Sequence, residues 1–306
     1  MFSAGGEKRI GLMTGDSVID FCRAAQVYEL ADKGSSVVSE FRTLEAMIEG
    51  GHFSRDSFSS VVSFLEKHGL VEDFTLEGEI AYELPISRPS KILALGRNYR
   101  AHAEESGLDV PDEPIIFDKV TTSMVAHGGD IVYPPQVTRM DHEIELAVVI
   151  GRRAKDIRTG DAWDYIAGYT IANDVSARHM QERDIGKGNP WLRSKSFDTF
   201  APMGPYLVPR DAVSDAHNLE LELKVNGEVR QRSNTSKMVF KIPEVISFIS
   251  SHMTLLPGDI ILTGTPEGIS PLVPGDVVEA TIENIGTLRN RVVEGGGVRE
   301  ASMRVE

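Results

Sequence analysis

The stretch Asp141-His142-Glu143-Ile144-Glu145-Leu146-Ala147-Val148-Val149-Ile150 sets two acids two residues apart at the head of an apolar run. Side chains alternate faces along a β-strand, so Glu143 and Glu145 share one face while Ile144 and Leu146 take the other. Two like charges side by side on a mostly apolar strand repel and are costly to bury alone, which calls for something positive between them. A second strand-like run, Tyr165-Ile166-Ala167-Gly168-Tyr169-Thr170-Ile171-Ala172-Asn173-Asp174, ends in a third acid. Three oxygen anions with no Cys or His among them suit Mg2+ or Mn2+ rather than zinc. The pattern alone leaves a second reading open, in which Glu143 and Glu145 form the solvent face of an edge strand. On the metal reading, Glu145→Ala is expected to abolish turnover and, as the loss of a surface-facing repulsion, to leave the fold intact.

Working outward, short β runs surround this stretch at 91–96, 114–117, 131–133, 204–208, 219–225, 259–263, 276–282 and 286–293. Turn signals such as Asn226-Gly227, Pro257-Gly258-Asp259 and Pro274-Gly275-Asp276 separate them. The clearest helix runs over 241–252, with Pro243 in its first turn. Regular alternation of strand and helix is missing, which favours a mixed α/β, strand-dominated roll over a doubly wound parallel sheet. Residues 1–87 read as a small α+β domain, with a hairpin over 8–21 around Thr14-Gly15-Asp16 and helical periodicity at 37–50 and 55–67. The prolines of Leu84-Pro85-Ile86-Ser87-Arg88-Pro89 break it from a main domain at 88–306.

Composition narrows the class. With 306 residues, 41% hydrophobic and 25% charged, the chain has the length and make-up of a globular enzyme with a substantial core. A formal charge of −14 works against nucleic acid and anionic lipid as partners. Cys22 is the single cysteine and cannot form an intrachain disulfide, no apolar run is long enough to span a bilayer, and the first residues lack a signal-peptide core. Cytoplasmic residence is the expectation. The Gly-x-Ser-x-Gly elbow, His-Glu-x-x-His and a Rossmann Gly-x-Gly-x-x-Gly after a strand are all lacking, which counts against serine hydrolases, zincins and dinucleotide enzymes.

Upstream, Gly96-Arg97-Asn98-Tyr99-Arg100-Ala101-His102-Ala103-Glu104-Glu105 follows a strand. In a helical turn Glu105 lies on the same face as His102, and a carboxylate that orients an imidazole makes a general base near neutral pH. A surface histidine on a polar loop is the competing reading. The segment 107–114 has the composition of a lid, expected to be mobile without ligand and to carry Glu105 towards His102 on closing. Downstream of Asp174, Arg178, Gln181 and Lys195 offer donors near the carboxylates, and a lysine there could stabilise an enolate. Leu262-Thr263-Gly264-Thr265-Pro266 follows an apolar strand, so its backbone N–H groups and the Thr265 hydroxyl could take a substrate carboxylate.

These motifs, together with Phe117-Asp118-Lys119, Asn173-Asp174-Val175-Ser176-Ala177-Arg178, Lys195-Ser196-Phe197-Asp198 and Val225-Asn226-Gly227, occur in an order that resembles the fumarylacetoacetate hydrolase superfamily from about Lys91 to Val293. The resemblance implies a β-roll catalytic domain, a homodimer and one Mg2+ or Mn2+ held at Glu143, Glu145 and Asp174. It also implies His102 with Glu105 as a water-activating dyad, Lys195 as a catalytic cation, and Arg97, Tyr99, Lys119, Arg178, Gln181 and Thr265 around a small 2-oxo acid. His179 departs from the acid that many members carry, which puts the local pairing of Arg178 in question. The reaction expected is metal-dependent hydrolysis of the C–C bond of an acylpyruvate-type 2-oxo acid. Decarboxylation of an oxaloacetate-type acid or isomerisation of a hydroxyheptadienedioate remain alternatives, as does a catalytically silent metal binder.

Overall fold

The computed structural model describes residues 1–4, 7–15, 17–31, 41–78 and 80–296. Two curled sheets form the body. The larger has seven strands in the order Ile115–Lys119, Ile92–Gly96, Ile260–Leu262, Ile144–Ile150, Ile166–Asn173, Ala201–Pro209 and Met124–Ala126. Neighbours run antiparallel except Ile92–Gly96 with Ile260–Leu262 and Ala201–Pro209 with Met124–Ala126. The smaller sheet has five strands, Glu228–Asn234, Glu220–Val225, Val277–Ile282, Gly286–Glu294 and Asp130–Tyr133. The acid-bearing strand is therefore central and buried along its whole length, which rules out the edge-strand reading of Glu143 and Glu145.

Period-two alternation divides the apolar residues of the large sheet between two cores. Leu93, Leu95, Ile144, Leu146, Val148 and Ile171 face the five-stranded sheet and the helix Ile242–His252 in one continuous cluster. Ala94, Ala147, Val149, Ala172 and Leu262 face the other way and share a second cluster with Phe21, Met47, Phe58 and Leu65 of the N-terminal segment. Close approach is required at Gly168, where a Cβ would lie 2.2 Å from the Val208 carbonyl oxygen on the adjacent strand. Gly168→Ala must push these strands apart, and a loss of about 1–3 kcal/mol is expected in urea unfolding. An unchanged midpoint would mean that the strands separate without strain.

The N-terminal segment departs from its sequence reading in detail. Lys8 and Arg9 belong to the strand Glu7–Arg9, which pairs with Phe2–Ala4, and the hairpin proper joins Gly11–Thr14 to Ser17–Asp20. Asp16, at its turn, lies outside the described residues, as do residues 37–40 of the helix read at 37–50. The described part of that helix is Leu44–Glu49, started by the Thr43 hydroxyl, which accepts from the Ala46 N–H. The helix Arg55–His68 begins at Ser54 in the same manner, and the Asp211 carboxylate accepts from the Arg55 N–H at 3.0 Å. The helix Phe21–Ala31 went unread. Among the described residues no helix is long and apolar enough to cross a membrane.

Candidate active site

The alternation that packs Ala147 and Val149 also sets Glu145 and Glu143 on their face, and it sets Asp174 on the face of Ala172. The three carboxylates come together because Ile144 pairs with Asn173 across the two strands, while the Asp174 N–H donates to the Glu143 carbonyl at 2.8 Å. All three are buried, and one oxygen from each lies within 4.8 Å of the others. Oxygen-only donors at this spacing fit a hard divalent cation.

The positive partner demanded by the sequence is Lys195, 1% exposed at the end of the short helix Leu192–Lys195. Its Nζ donates to Glu143 Oε2 at 2.9 Å and to Asp174 Oδ2 at 2.6 Å. Lys119 donates to the other Asp174 oxygen at 2.6 Å, and Arg178 bonds Glu143 and, at 2.8 Å, Asp141. Arg139 closes the series with two 3.0 Å bonds to Asp141. Three buried cations, Lys119, Arg178 and Lys195, and the partly exposed Arg139 thus pair with Asp141, Glu143 and Asp174, while Glu145 stands beside them without a cation. Arg178 is fully paired despite His179 beside it, which answers the question raised by that departure.

Their protonation follows from these neighbours. Burial raises Glu143, but Lys195 and Arg178 outweigh it and hold the carboxyl well below the usual range. Glu145 touches no cation; burial, Asp174 and Glu143 all push it well up, against Lys195 and the single N–H of Gly264, which donates to it at 2.5 Å. Burial lowers both lysines. For Lys195 two carboxylates reverse that, and its ammonium is held above its ordinary value, whereas Lys119 stays below.

A cavity of about 570 Å³ opens over this cluster, lined by Glu143, Arg178, Gln181 and Lys195 on one side and by Arg97, His102, Glu105 and Thr265 on another. His102 and Glu105 sit on one face of the helix Arg100–Glu105, with Nδ1 and Oε2 3.3 Å apart. Burial raises Glu105, but the bonds from His102 and from the Gly268 N–H outweigh it, so its carboxyl lies below the usual range. The dyad is assembled within one helix, so the expected role of the 107–114 segment in carrying Glu105 to His102 is not needed. One bond ties that segment to the site, from Arg97 Nη1 to the Asp109 carbonyl at 2.9 Å. Arg97 itself adopts a left-handed φ of 58°, uncommon for a side-chain-bearing residue, and its buried Nε has no acceptor.

Two residues expected around a substrate are placed elsewhere. Tyr99 packs into the roll's main core, and Lys119 sits behind Asp174, so neither lines this cavity. The Gly264 N–H, expected to meet substrate, is taken by Glu145, and the Thr265 hydroxyl receives an N–H of Gln231 at 2.9 Å. The cavity wall also includes Arg139, Glu182 and Trp191, which the sequence reading did not single out. Arg139 and Asp141, two apart on an extended segment, carried a legible ion-pair signal; Trp191 carried none.

This fold and carboxylate centre define a recognisable class of protein. Residues 91–293 match the family described as fumarylacetoacetate (FAA) hydrolase, C-terminal, and the chain belongs to that family. A mitochondrial oxaloacetate tautomerase of Bos taurus is 47% identical over 222 residues, covering 70% of each chain. A 5-carboxymethyl-2-hydroxymuconate delta-isomerase structure from Mycobacterium smegmatis is 44% identical, with a TM-score of 0.64 over 71% of this chain and 81% of its own. Maleylpyruvate hydrolase from Sphingobium sp. SYK-6, solved with manganese(II) and pyruvate, is 30% identical. It covers 96% of this chain and 98% of its own with a TM-score of 0.72.

Proposed function

We propose that this chain hydrolyses the C–C bond of acylpyruvate-type 2-oxo acids with an Mg2+ or Mn2+ held by Glu143, Glu145 and Asp174. The observation that carries the reading is the His102–Glu105 pair opening onto the same cavity as Lys195 and Glu143, the member of the carboxylate cluster that lines it. A cation bound there supplies Lewis acidity to the oxygens of the 2-oxo acid. The other work falls to the chain's own groups. His102, oriented by Glu105, takes a proton from the water that adds to the C4 carbonyl. The C3–C4 bond then breaks, its electron pair passes to the pyruvate fragment as an enolate, and the acyl fragment leaves as a carboxylic acid. The Lys195 ammonium, held charged by its two carboxylates, opposes that developing charge until C3 takes a proton. Arg97, with a free Nε, and Thr265, whose hydroxyl proton is not used by Gln231, are left to hold the rest of the substrate.

A second reading is keto–enol tautomerisation of an oxaloacetate-type acid, favoured by the 47% identity to the Bos taurus enzyme. Incubation of the Mn2+-loaded protein with acetylpyruvate and, separately, with enol-oxaloacetate distinguishes the two. Release of pyruvate supports hydrolysis; faster decay of enol-oxaloacetate with no pyruvate release supports tautomerisation, and neither reaction sinks both. Glu105→Gln is expected to slow pyruvate release by roughly 10²-fold or more, the scale of losing general base catalysis. Oxaloacetate decarboxylation, which needs no activated water, should fall much less. Undiminished hydrolysis in that variant would remove the dyad from the mechanism.

A further inference from the structure

Gln231 takes no part in the chemistry above, yet it sits at a junction of the site. It is fully buried on the strand Glu228–Asn234 of the five-stranded sheet, and every hydrogen-bonding position of its carboxamide is used. Its Oε1 accepts from the Ile144 N–H at 3.1 Å and faces His142 Nδ1 at 3.0 Å. Its Nε2 donates to Thr265 Oγ1 at 2.9 Å and to the Pro266 carbonyl at 2.8 Å. A backbone N–H on one side and a backbone carbonyl on the other leave only one orientation of the amide. That orientation makes His142 the donor at Nδ1, so its Nε2 accepts from Ser270 at 2.9 Å.

Ile144 lies between Glu143 and Glu145, so one end of Gln231 fixes the backbone that carries two carboxylates of the cluster. Its other end holds the loop 263–270, and that loop reaches both halves of the site. The Gly264 N–H donates to Glu145 at 2.5 Å and the Gly268 N–H to Glu105 Oε1 at 3.0 Å. Gly268, at φ 95°, packs so closely on the Gln231 strand that a Cβ would meet the Arg230 carbonyl oxygen at 2.2 Å. Resting on the proposed function, we infer that Gln231 is a positioning residue, setting Glu145 for the cation and Glu105 for the dyad through one shared loop.

Gln231→Glu tests this selectively. It keeps the acceptor for Ile144 and His142 but replaces the donor that holds Pro266 with an acceptor. Amide exchange at 264–269 in the metal-free protein should quicken at least tenfold, and the Mn2+ dissociation constant, measured without substrate, should rise roughly 10–100-fold, the scale of losing a partner that orients a ligand. Acetylpyruvate turnover should fall over the same range. Gln231→Met, of similar length and uncharged, carries the same expectation. A folded variant with lower stability but unchanged Mn2+ affinity and exchange would reduce Gln231 to a structural role and overturn the inference; so would failure of both variants to fold. Wild-type protein that binds no Mn2+ would instead overturn the proposed function.

Discussion

Glu145→Gln should remove binding of Mg2+ or Mn2+ and, with it, turnover by roughly 10³-fold, because several kcal/mol of Lewis-acid stabilisation is lost. The same change should leave the metal-free protein as stable as before or more so. Glu145 is 1% exposed, close to two other carboxylates and without a cation of its own, so a neutral amide spares the folded protein the cost of burying a charge there or of protonating it. Gln also keeps an oxygen for the Gly264 N–H. Burial overturns the expectation that Glu145→Ala is harmless to the fold: alanine would empty a packed site and leave that N–H unpaired. The check is a pair of urea titrations with and without Mn2+. At a metal concentration of 100 times its dissociation constant the wild type should gain about 2.7 kcal/mol, and the variant nothing. A variant that still gains stability with metal would remove Glu145 from the ligand set.

Lys195→Met should be the most damaging single change to the metal-free protein. Among the described residues it withdraws the one cation paired with both the Glu143 and the Asp174 carboxylates, leaving two buried carboxylates undercompensated. Breaking such a pair costs about 3–5 kcal/mol, seen as a lowered urea midpoint. Mn2+ brings positive charge back to the same carboxylates and should recover part of that loss. Activity should not recover, since both hydrolysis and tautomerisation pass through an enolate that Lys195 opposes. Full activity in a metal-loaded Lys195→Met protein would make the lysine purely structural.

The strongest signals in the sequence were those in which chemistry and periodicity coincided. Glu143-x-Glu145 on an apolar run and Asp174 at the end of another were legible because each acid interrupts a pattern that otherwise demands burial. Elements whose inward faces are polar were lost. The helix Arg178–Gly186 buries Arg178, Gln181 and Asp184, so it shows no apolar stripe, and the strand Glu228–Asn234 turns Gln231 and Ser233 inward where Val or Ile would have marked it. Strand order was equally hidden, since nothing in the local sequence of Ile260–Leu262 says that it lies between Ile92–Gly96 and Ile144–Ile150. That order decides whether Glu143 and Glu145 face water or the interior. For a related reason the motif of Lys119 gives its neighbourhood but not the side of Asp174 on which it stands.

The second core has a consequence for how the chain comes apart. Ala94, Ala147, Val149 and Leu262 stay dry only while Phe21, Met47, Phe58 and Leu65 cover them. Removing residues 1–87 would bare one face of the central sheet, and a contiguous apolar surface of that kind invites self-association. Heating should accordingly melt both parts in a single calorimetric transition, with van't Hoff and calorimetric enthalpies in agreement. The small N-terminal segment would then act as the fourth wall of the sheet that carries Glu143 and Glu145, and proteolytic nicking at 84–89 would release an insoluble roll rather than a working one.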